Sequence, residues 1–296
     1  MKLKHLIDEF LLTIQAHGNV NSPGTVEFNR RRIVFFADFV RDEQIADPLT
    51  PHAFRLYAAH IKTRPRNDGR DGPLSAYYVH GCLQTLKRFG QWLHDDGHTT
   101  GRNLADVISL PRLPHYRPNK AINKTDLARM IAACTGRDRA LLLLLRDTGC
   151  RSCELLSMRW GDVDLNARHV WVTGKRQKSR WVFFVEETAE AIRAYRDHVP
   201  HEAGDPVWWG RIGRSDQAPL RYRGLYGILR RLAGRLDIEG NWNPHAWRHA
   251  FGKRMNRKGM STLNLQALMG HESPETTLIY AEPDPEDLRE IYDEYT

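Results

Sequence analysis

The sequence has little cysteine, and what it has is not arranged to hold a metal. Four of 296 residues are cysteine (Cys82, Cys134, Cys150 and Cys153); Cys150 and Cys153 stand close together, but no second pair accompanies them. These thiols read as small core residues in a reducing compartment, not as disulfide staples. Long apolar runs are also missing. The longest, Leu141 to Leu145, ends at Arg146, far short of the roughly 20 residues that span a bilayer. The opening Met1-Lys2-Leu3-Lys4-His5 lacks the apolar run and cleavage site of a signal peptide. A soluble, cytoplasmic protein with no membrane partner is expected. There is no Gly-rich phosphate loop and no acidic cluster suited to Mg²⁺, so no cofactor and no metal are expected. Internal repeats and low-complexity segments are absent as well.

Positive charge is present in excess. The net charge is +8, and its distribution is uneven. Residues 120–274 carry 27 Lys/Arg against 16 Asp/Glu, whereas residues 275–296 carry one Arg against eight Asp/Glu. A basic body points to a polyanionic partner, because each phosphate neutralised by the protein releases counterions. The acidic end is unsuited to such a partner and fits contact with protein.

Proline marks a division. Leu110-Pro111-Arg112-Leu113-Pro114-His115-Tyr116-Arg117-Pro118 removes helix donors and favours extended chain, so residues 111–119 read as a linker. Residues 1–110 before it are patterned as helices throughout. Leu3, Leu6, Ile7, Phe10, Leu11 and Ile14 form one apolar face at helical spacing, and Phe28, Ile33, Phe36 and Val40 form a second. Thr50-Pro51 supplies an N-cap and a first-turn proline to a third helix, and a longer one follows Pro73. Residues 120–296 are mixed. Helices are expected from Thr125-Asp126, over 137–148, and at about 187–198, 220–236, 244–258 and 261–269. The β-rich segments 169–173 and 180–185 flank Gly174-Lys175-Arg176-Gln177-Lys178-Ser179, a hairpin signature. The expected fold class is therefore mainly α with a small β-hairpin or sheet (α+β), an all-α first domain preceding a mixed second one.

Several polar residues fall at element ends or on one helix face. Arg151 follows the Thr148-Gly149-Cys150 break, with Glu154 three positions on. Lys175 sits at the hairpin tip. In His245-Ala246-Trp247-Arg248-His249, helical spacing puts His245, Arg248 and His249 on one face. Gly270-His271 closes the next helix, and Ser273-Pro274-Glu275 caps a short one carrying Tyr280. Taken singly, each reads as a solvated charge, a satisfied polar residue or a packing aromatic. Their order is what adds information.

That order resembles the tyrosine recombinase (phage integrase) family. Thr148-Gly149-Cys150-Arg151-Ser152-Cys153-Glu154-Leu155 is similar to its first-arginine box, and Gly174-Lys175 to its lysine turn. His245-Ala246-Trp247-Arg248-His249 resembles its His-x-x-Arg-His box, Leu268-Met269-Gly270-His271 its Leu-Gly-His box, and Thr276-Thr277-Leu278-Ile279-Tyr280 its nucleophile segment. The separations agree: 24 residues from Arg151 to Lys175, 23 from Arg248 to His271 and nine from His271 to Tyr280. Leu104, Trp247 and Cys150 depart from the usual residues at their positions, but none of them is a reacting group.

The resemblance implies a catalytic set of Arg151, Lys175, His245, Arg248, His271 and Tyr280, supported by Glu154 and His249. Two guanidiniums would neutralise a phosphodiester, His271 would add a donor, and His245 would help to deprotonate Tyr280. Lys175 is the candidate general acid for the leaving 5′-oxygen, with Lys178 its neighbour on the same turn. The product would be a 3′-phosphotyrosine, and exchange would proceed through a Holliday junction. The resemblance further implies a helical (SAM-like) core-binding domain over 1–110, a double-stranded DNA recombination site as partner, and a tetramer on that DNA. The apolar spacing of Leu288, Ile291, Tyr292 and Tyr295 makes a tail helix over 285–296 the candidate for self-association. Further DNA contacts are expected from Arg30, Arg31, Arg32, Lys178, Arg180, Arg221 and Arg223, whether to phosphates or bases. The short helical first domain suits a simple Xer-like, transposon or small mobile-element recombinase. Two other readings share parts of the pattern: a type IB topoisomerase relaxing DNA without a defined site, and a catalytically silent DNA-binding regulator.

Overall fold

A computed structural model describes residues 3–16, 23–66, 71–113, 121–174, 178–210 and 218–271, together with residues 277, 278, 289, 292 and 293. The chain divides into two compact units, Met1–Tyr116 and Arg117–Thr296.

The first unit is built from helices α1 (Leu3–Ala16), α2 (Pro23–Asp42), α3 (Pro51–Thr63) and α4 (Ala76–Asp95), followed by a 3-10 turn at Leu104–Val107. Thr50 caps α3 by accepting from the Ala53 N–H, with Pro51 in the first turn where its missing donor is not needed. Ser75 does the same for α4. The apolar faces meet in an aromatic core in which Phe36 packs edge-on against Phe54 and Tyr57, and Phe10 against Phe89. One member of the expected second face lies elsewhere. Phe28 is 41% exposed, and the guanidinium of Arg32, one turn on, stacks on its ring at 3.3 Å. The polar Asn29 is instead the buried residue of that turn. It donates to the Thr25 carbonyl and accepts from the Thr85 hydroxyl, so burying it leaves its amide satisfied.

The second unit is mainly helical with one small antiparallel sheet. Its elements are α5 (Lys124–Ala132), α6 (Gly136–Thr148), α7 (Ser152–Leu156), β1 (Val163–Asp164), β2 (His169–Thr173), β3 (Ser179–Phe183), α8 (Glu186–Arg196), α9 (Tyr222–Arg235), α10 (Pro244–Arg257) and α11 (Thr262–Met269). The apolar run Leu141 to Leu145 forms the middle of α6 and is buried on every side, which is why it shows no amphipathic period. Helices α8 and α10 pack on it. The strands are ordered β1-β2-β3. Val170 opposite Val182 faces the core, and Trp171 opposite Trp181 faces outward, as the period of two requires. Among the described residues no helix is long and apolar enough to cross a membrane.

Several elements differ from the sequence expectation, most by one or two residues at an end. Helix α5 starts at Lys124 because Asn123, not Thr125, is the cap, accepting from the Asp126 N–H at 2.7 Å. Strand β3 stops at Phe183 because the Val185 N–H is taken by Asp147 at the entry to α8. Strand β1, two residues long, was not expected; so short a segment carries no readable period.

Candidate active site

The site is assembled where α6 ends and α7 begins. Gly149 closes α6 in the left-handed region (φ 54°), and a Cβ there would lie 2.5 Å from the Phe251 ring. That tight turn delivers Arg151 to the N-cap of α7. Its backbone N–H donates to Glu154 Oε2 at 2.8 Å, and its guanidinium donates to Glu154 Oε1 at 3.0 Å. Glu154 thus bonds both the backbone and the side chain of Arg151.

Glu154 also holds a second arginine. Arg180, on β3, donates to Oε1 at 2.8 Å and to Oε2 at 2.9 Å, a two-pronged pair about a carboxylate with no solvent exposure. Burial alone would raise the Glu154 carboxyl, but the bonds from Arg180, reinforced by Arg151, outweigh it and bring its pKa down to about 2. Arg180 Nε donates to the Leu268 carbonyl at 2.6 Å. Every guanidinium nitrogen of Arg180 thus has a protein partner, and the residue expected among the DNA contacts is committed to the interior.

Helix α10 supplies Arg248, capped at its start by Asn243 and Pro244. Arg248 is 3% exposed and donates to the carbonyls of Gly149 at 2.7 Å and Met269 at 2.5 Å. His245, one turn earlier, is exposed. Its ring stands edge-on to that of His249, with centroids 4.4 Å apart, so the helix face expected for His245, Arg248 and His249 divides into a buried cation and an imidazole pair.

These arginines converge on the end of α11. Its last carbonyls are orphaned by helix geometry and lie at the negative end of the helix dipole. Leu268 accepts from Arg180, Met269 from Arg248 and Gly270 from Arg151, the last at 2.8 Å. Gly270 is left-handed (φ 63°), and a Cβ there would come within 2.9 Å of Arg180. His271 follows directly. Its backbone N–H donates to the Gln266 carbonyl, and its own carbonyl accepts from the Gln266 amide. Its Nδ1 lies 2.7 Å from the buried Thr277 hydroxyl. Burial, then the charges of Arg248, Arg151 and Arg180 and the nearby His245, lower the His271 pKa from 6.5 to about 4. The imidazole is neutral at physiological pH, a hydrogen-bonding group with no charge of its own.

Lys175 and Tyr280 lie outside the described residues, as do residues 114–119 of the expected linker and all of the tail 285–296 except residues 289, 292 and 293. Lys178 is described and exposed, and its carbonyl closes the hairpin by accepting from the Gly174 N–H at 2.8 Å. Arg221 and Arg223 are exposed at the start of α9. Arg30 lies 3.8 Å from Asp8, and Arg31 pairs with Glu27 on the surface of α2. Arg32 lies over Phe28, with the Tyr78 ring 5.2 Å away. Two roles were not anticipated from sequence: Arg180, expected among the DNA contacts, as a partner of Glu154, and Thr277 as a partner of His271. Arg180 was detectable, because it precedes Val182 by two positions on a strand and must share the core-facing side. Thr277 had no comparable signal.

A buried guanidinium, one a third exposed and a neutral imidazole are gathered at one helix end, with Glu154 the balancing carboxylate among the described residues, an arrangement suited to an oxyanion such as phosphate. Comparison with known proteins gives this class its family. The phage integrase family model matches residues 120–287. The chain is 30% identical over 296 residues to the tyrosine recombinase XerC of Xylella fastidiosa (strain 9a5c), covering 98% of this chain and 96% of that one. It is 28% identical over 297 residues to XerC of Xanthomonas axonopodis pv. citri (strain 306), covering 97% and 95%. Its fold is similar to that of a lambda integrase (75-356) dimer bound to a COC′ core site, with a TM-score of 0.71 at 15% identity over 95% of this chain and 96% of that one. The chain belongs to the phage integrase family and is a tyrosine site-specific DNA recombinase.

Proposed function

We propose that Arg151, Arg248 and His271 form the pocket for the scissile phosphate of a DNA recombination site, and that Tyr280 is the nucleophile. The observation that carries this reading is the shared anchorage of both guanidiniums at the α11 carboxyl end, Arg248 on Met269 and Arg151 on Gly270, directly before His271. Three sequence-distant segments are locked into one donor array before any substrate arrives, which is the condition for electrostatic stabilisation of a pentacoordinate phosphate.

In the proposed reaction the Tyr280 oxygen attacks phosphorus and the bond to the 5′-oxygen breaks. The phenol has an ordinary pKa of about 10, so His245 assists removal of its proton. Lys175 donates a proton to the departing 5′-oxygen. The product is a 3′-phosphotyrosine and a free 5′-hydroxyl. Attack by the 5′-hydroxyl of a partner strand reverses the same steps, so the number of phosphodiester bonds is conserved through a Holliday junction. Lys178, Arg221, Arg223, Arg30 and Arg31 are exposed cations available to the DNA backbone.

Exchange between two duplexes calls for four chains, and we assign their association to residues 285–296. A cavity of about 520 Å³ in the second unit, bounded by Phe251, Met255, Met260 and Leu268 and rimmed by Arg254 and Lys258, complements an apolar, acidic segment in both character and charge. Deleting 285–296 is expected to abolish the four-chain assembly on DNA; unchanged assembly would reject the assignment. The helical first unit is assigned to DNA binding at the core of the site, and the biological setting to a simple Xer-like or mobile-element system. A plasmid carrying two recombination sites tests the whole reading. Wild type is expected to delete the intervening DNA, and Arg151→Ala, Arg248→Ala and Lys175→Ala to fail. Deletion by all three variants at the wild-type rate would refute it.

A further inference from the structure

The contact between His271 and Thr277 is not required by the cleavage scheme, yet it is specific. The backbone of His271 is held on both sides by Gln266, and Gly270 before it is held by Arg151. The imidazole therefore keeps only its side-chain rotations and its choice of protonated nitrogen. Thr277 Oγ1, on a residue 1% exposed, lies 2.7 Å from Nδ1 and removes the rotational freedom. The remaining question is which atom donates.

We propose that the Thr277 hydroxyl donates to His271 Nδ1 and thereby holds the neutral ring as the tautomer protonated on Nε2, which makes Thr277 a positioning residue for strand cleavage. This inference rests on the reading of His271 as a phosphate donor. A neutral imidazole carries one N–H. If Nδ1–H donated to Thr277, Nε2 would present a lone pair to the scissile phosphate, and lone pair against anionic oxygen is repulsive. With Thr277 donating, Nε2–H faces the anion. Among the described residues, the charged groups around the ring are Arg151 from the N-cap of α7, Arg180 from β3 and Arg248 from α10, with the titratable His245 also on α10. The three arginines have no acceptor to offer an imidazole N–H, whereas the oxygens of a bound phosphate would accept one. The lowered pKa of the ring, about 4, agrees with a single-proton donor near pH 7. The arrangement is the hydrogen-bond counterpart of the outer partners that fix the tautomer of a metal-bound histidine.

The test is nitrogen NMR of the full-length chain labelled in its histidine rings, with the Tyr280→Phe change to block cleavage, free and bound to a duplex carrying its recombination site. His271→Gln identifies the signal. In the complex His271 is expected to be neutral and protonated on Nε2. Thr277→Ser is expected to keep that pattern, and Thr277→Val to lose it. With Tyr280 intact, Thr277→Val should slow cleavage by about 10–100-fold, by analogy with outer-shell partners, and Thr277→Ser should restore most of the rate. Protonation on Nδ1 in the Thr277-containing complex, or a Thr277→Val chain with an unchanged tautomer, would overturn the proposal. The underlying reading fails separately: if His271→Gln cleaves at the wild-type rate, His271 is not a phosphate donor, whatever its tautomer.

Discussion

Arg180 grips both carboxylate oxygens of Glu154 at 2.8 and 2.9 Å, across 26 residues of sequence and with Glu154 sealed from solvent. The carboxylate compensates Arg180 and Arg151 together, and Arg180 ties the hairpin strand to the last turn of α11 through Leu268. The two cations thus have different tasks: Arg180 sets the frame, and Arg151, a third exposed, is left at the site.

Removing Arg180 should destabilise the fold sharply. Arg180→Met leaves a buried carboxylate with one partner fewer, a change of about 3–5 kcal/mol for a broken buried pair. Adding Glu154→Gln should recover part of that loss, because the sealed carboxylate that lost a partner is then replaced by a neutral amide. Urea unfolding of the single and double variants measures both. A single-variant loss below about 1 kcal/mol, the range of exposed ion pairs, would show that the pair does not anchor the second unit.

Gly270 should tolerate no side chain. A left-handed non-glycine residue costs about 1–2 kcal/mol, and the added Cβ would press on Arg180 at 2.9 Å. Gly270→Ala is expected to lower stability and to reduce cleavage further than a comparably destabilising change in the first unit. Equal effects on cleavage from both would mean that the α11 terminus does not position the site.

Arg248→Lys should retain charge and lose function. A lysine cannot span the Gly149 and Met269 carbonyls while offering a planar fork to phosphate. Single-turnover cleavage should fall by roughly 10²–10³-fold, the scale of a lost oxyanion donor, with duplex affinity nearly unchanged. Loss confined to affinity would place Arg248 outside the reacting centre.

The pH dependence of stability follows from His271. Its folded pKa of about 4 lies below the ordinary 6.5. Between those values the unfolded chain binds a proton that the folded chain does not, so this contribution is complete above about pH 6.5 and declines as the pH falls toward 4. Acidification from pH 7.5 to 4.5 should therefore cost wild type more stability than His271→Asn. Identical losses would mean that the ring is not held neutral.

Much of this site was readable along the chain because its residues mark element boundaries. Gly149 stops α6, Arg151 caps α7, Asn243-Pro244 opens α10 ahead of His245 and Arg248, and Gly270 stops α11 before His271; each boundary has a local physical cause. What the sequence could not disclose depends on long-range meeting. The three terminal carbonyls of α11 collect arginines 88, 21 and 119 residues away, and nothing local to Leu268, Met269 or Gly270 announces it. Phe28 fell on an apolar stripe, and only the structure shows Arg32 covering it in place of the core.

The most direct test of the central claim is to trap the protein on a nicked duplex whose cleaved fragment diffuses away, digest the covalent adduct and sequence its peptide by mass spectrometry. The DNA is expected at Tyr280, joined through a 3′-phosphate, with a free 5′-hydroxyl on the released fragment and no adduct from Tyr280→Phe. An adduct on another residue, a linkage through the 5′-phosphate, or an undiminished adduct from Tyr280→Phe would contradict the account.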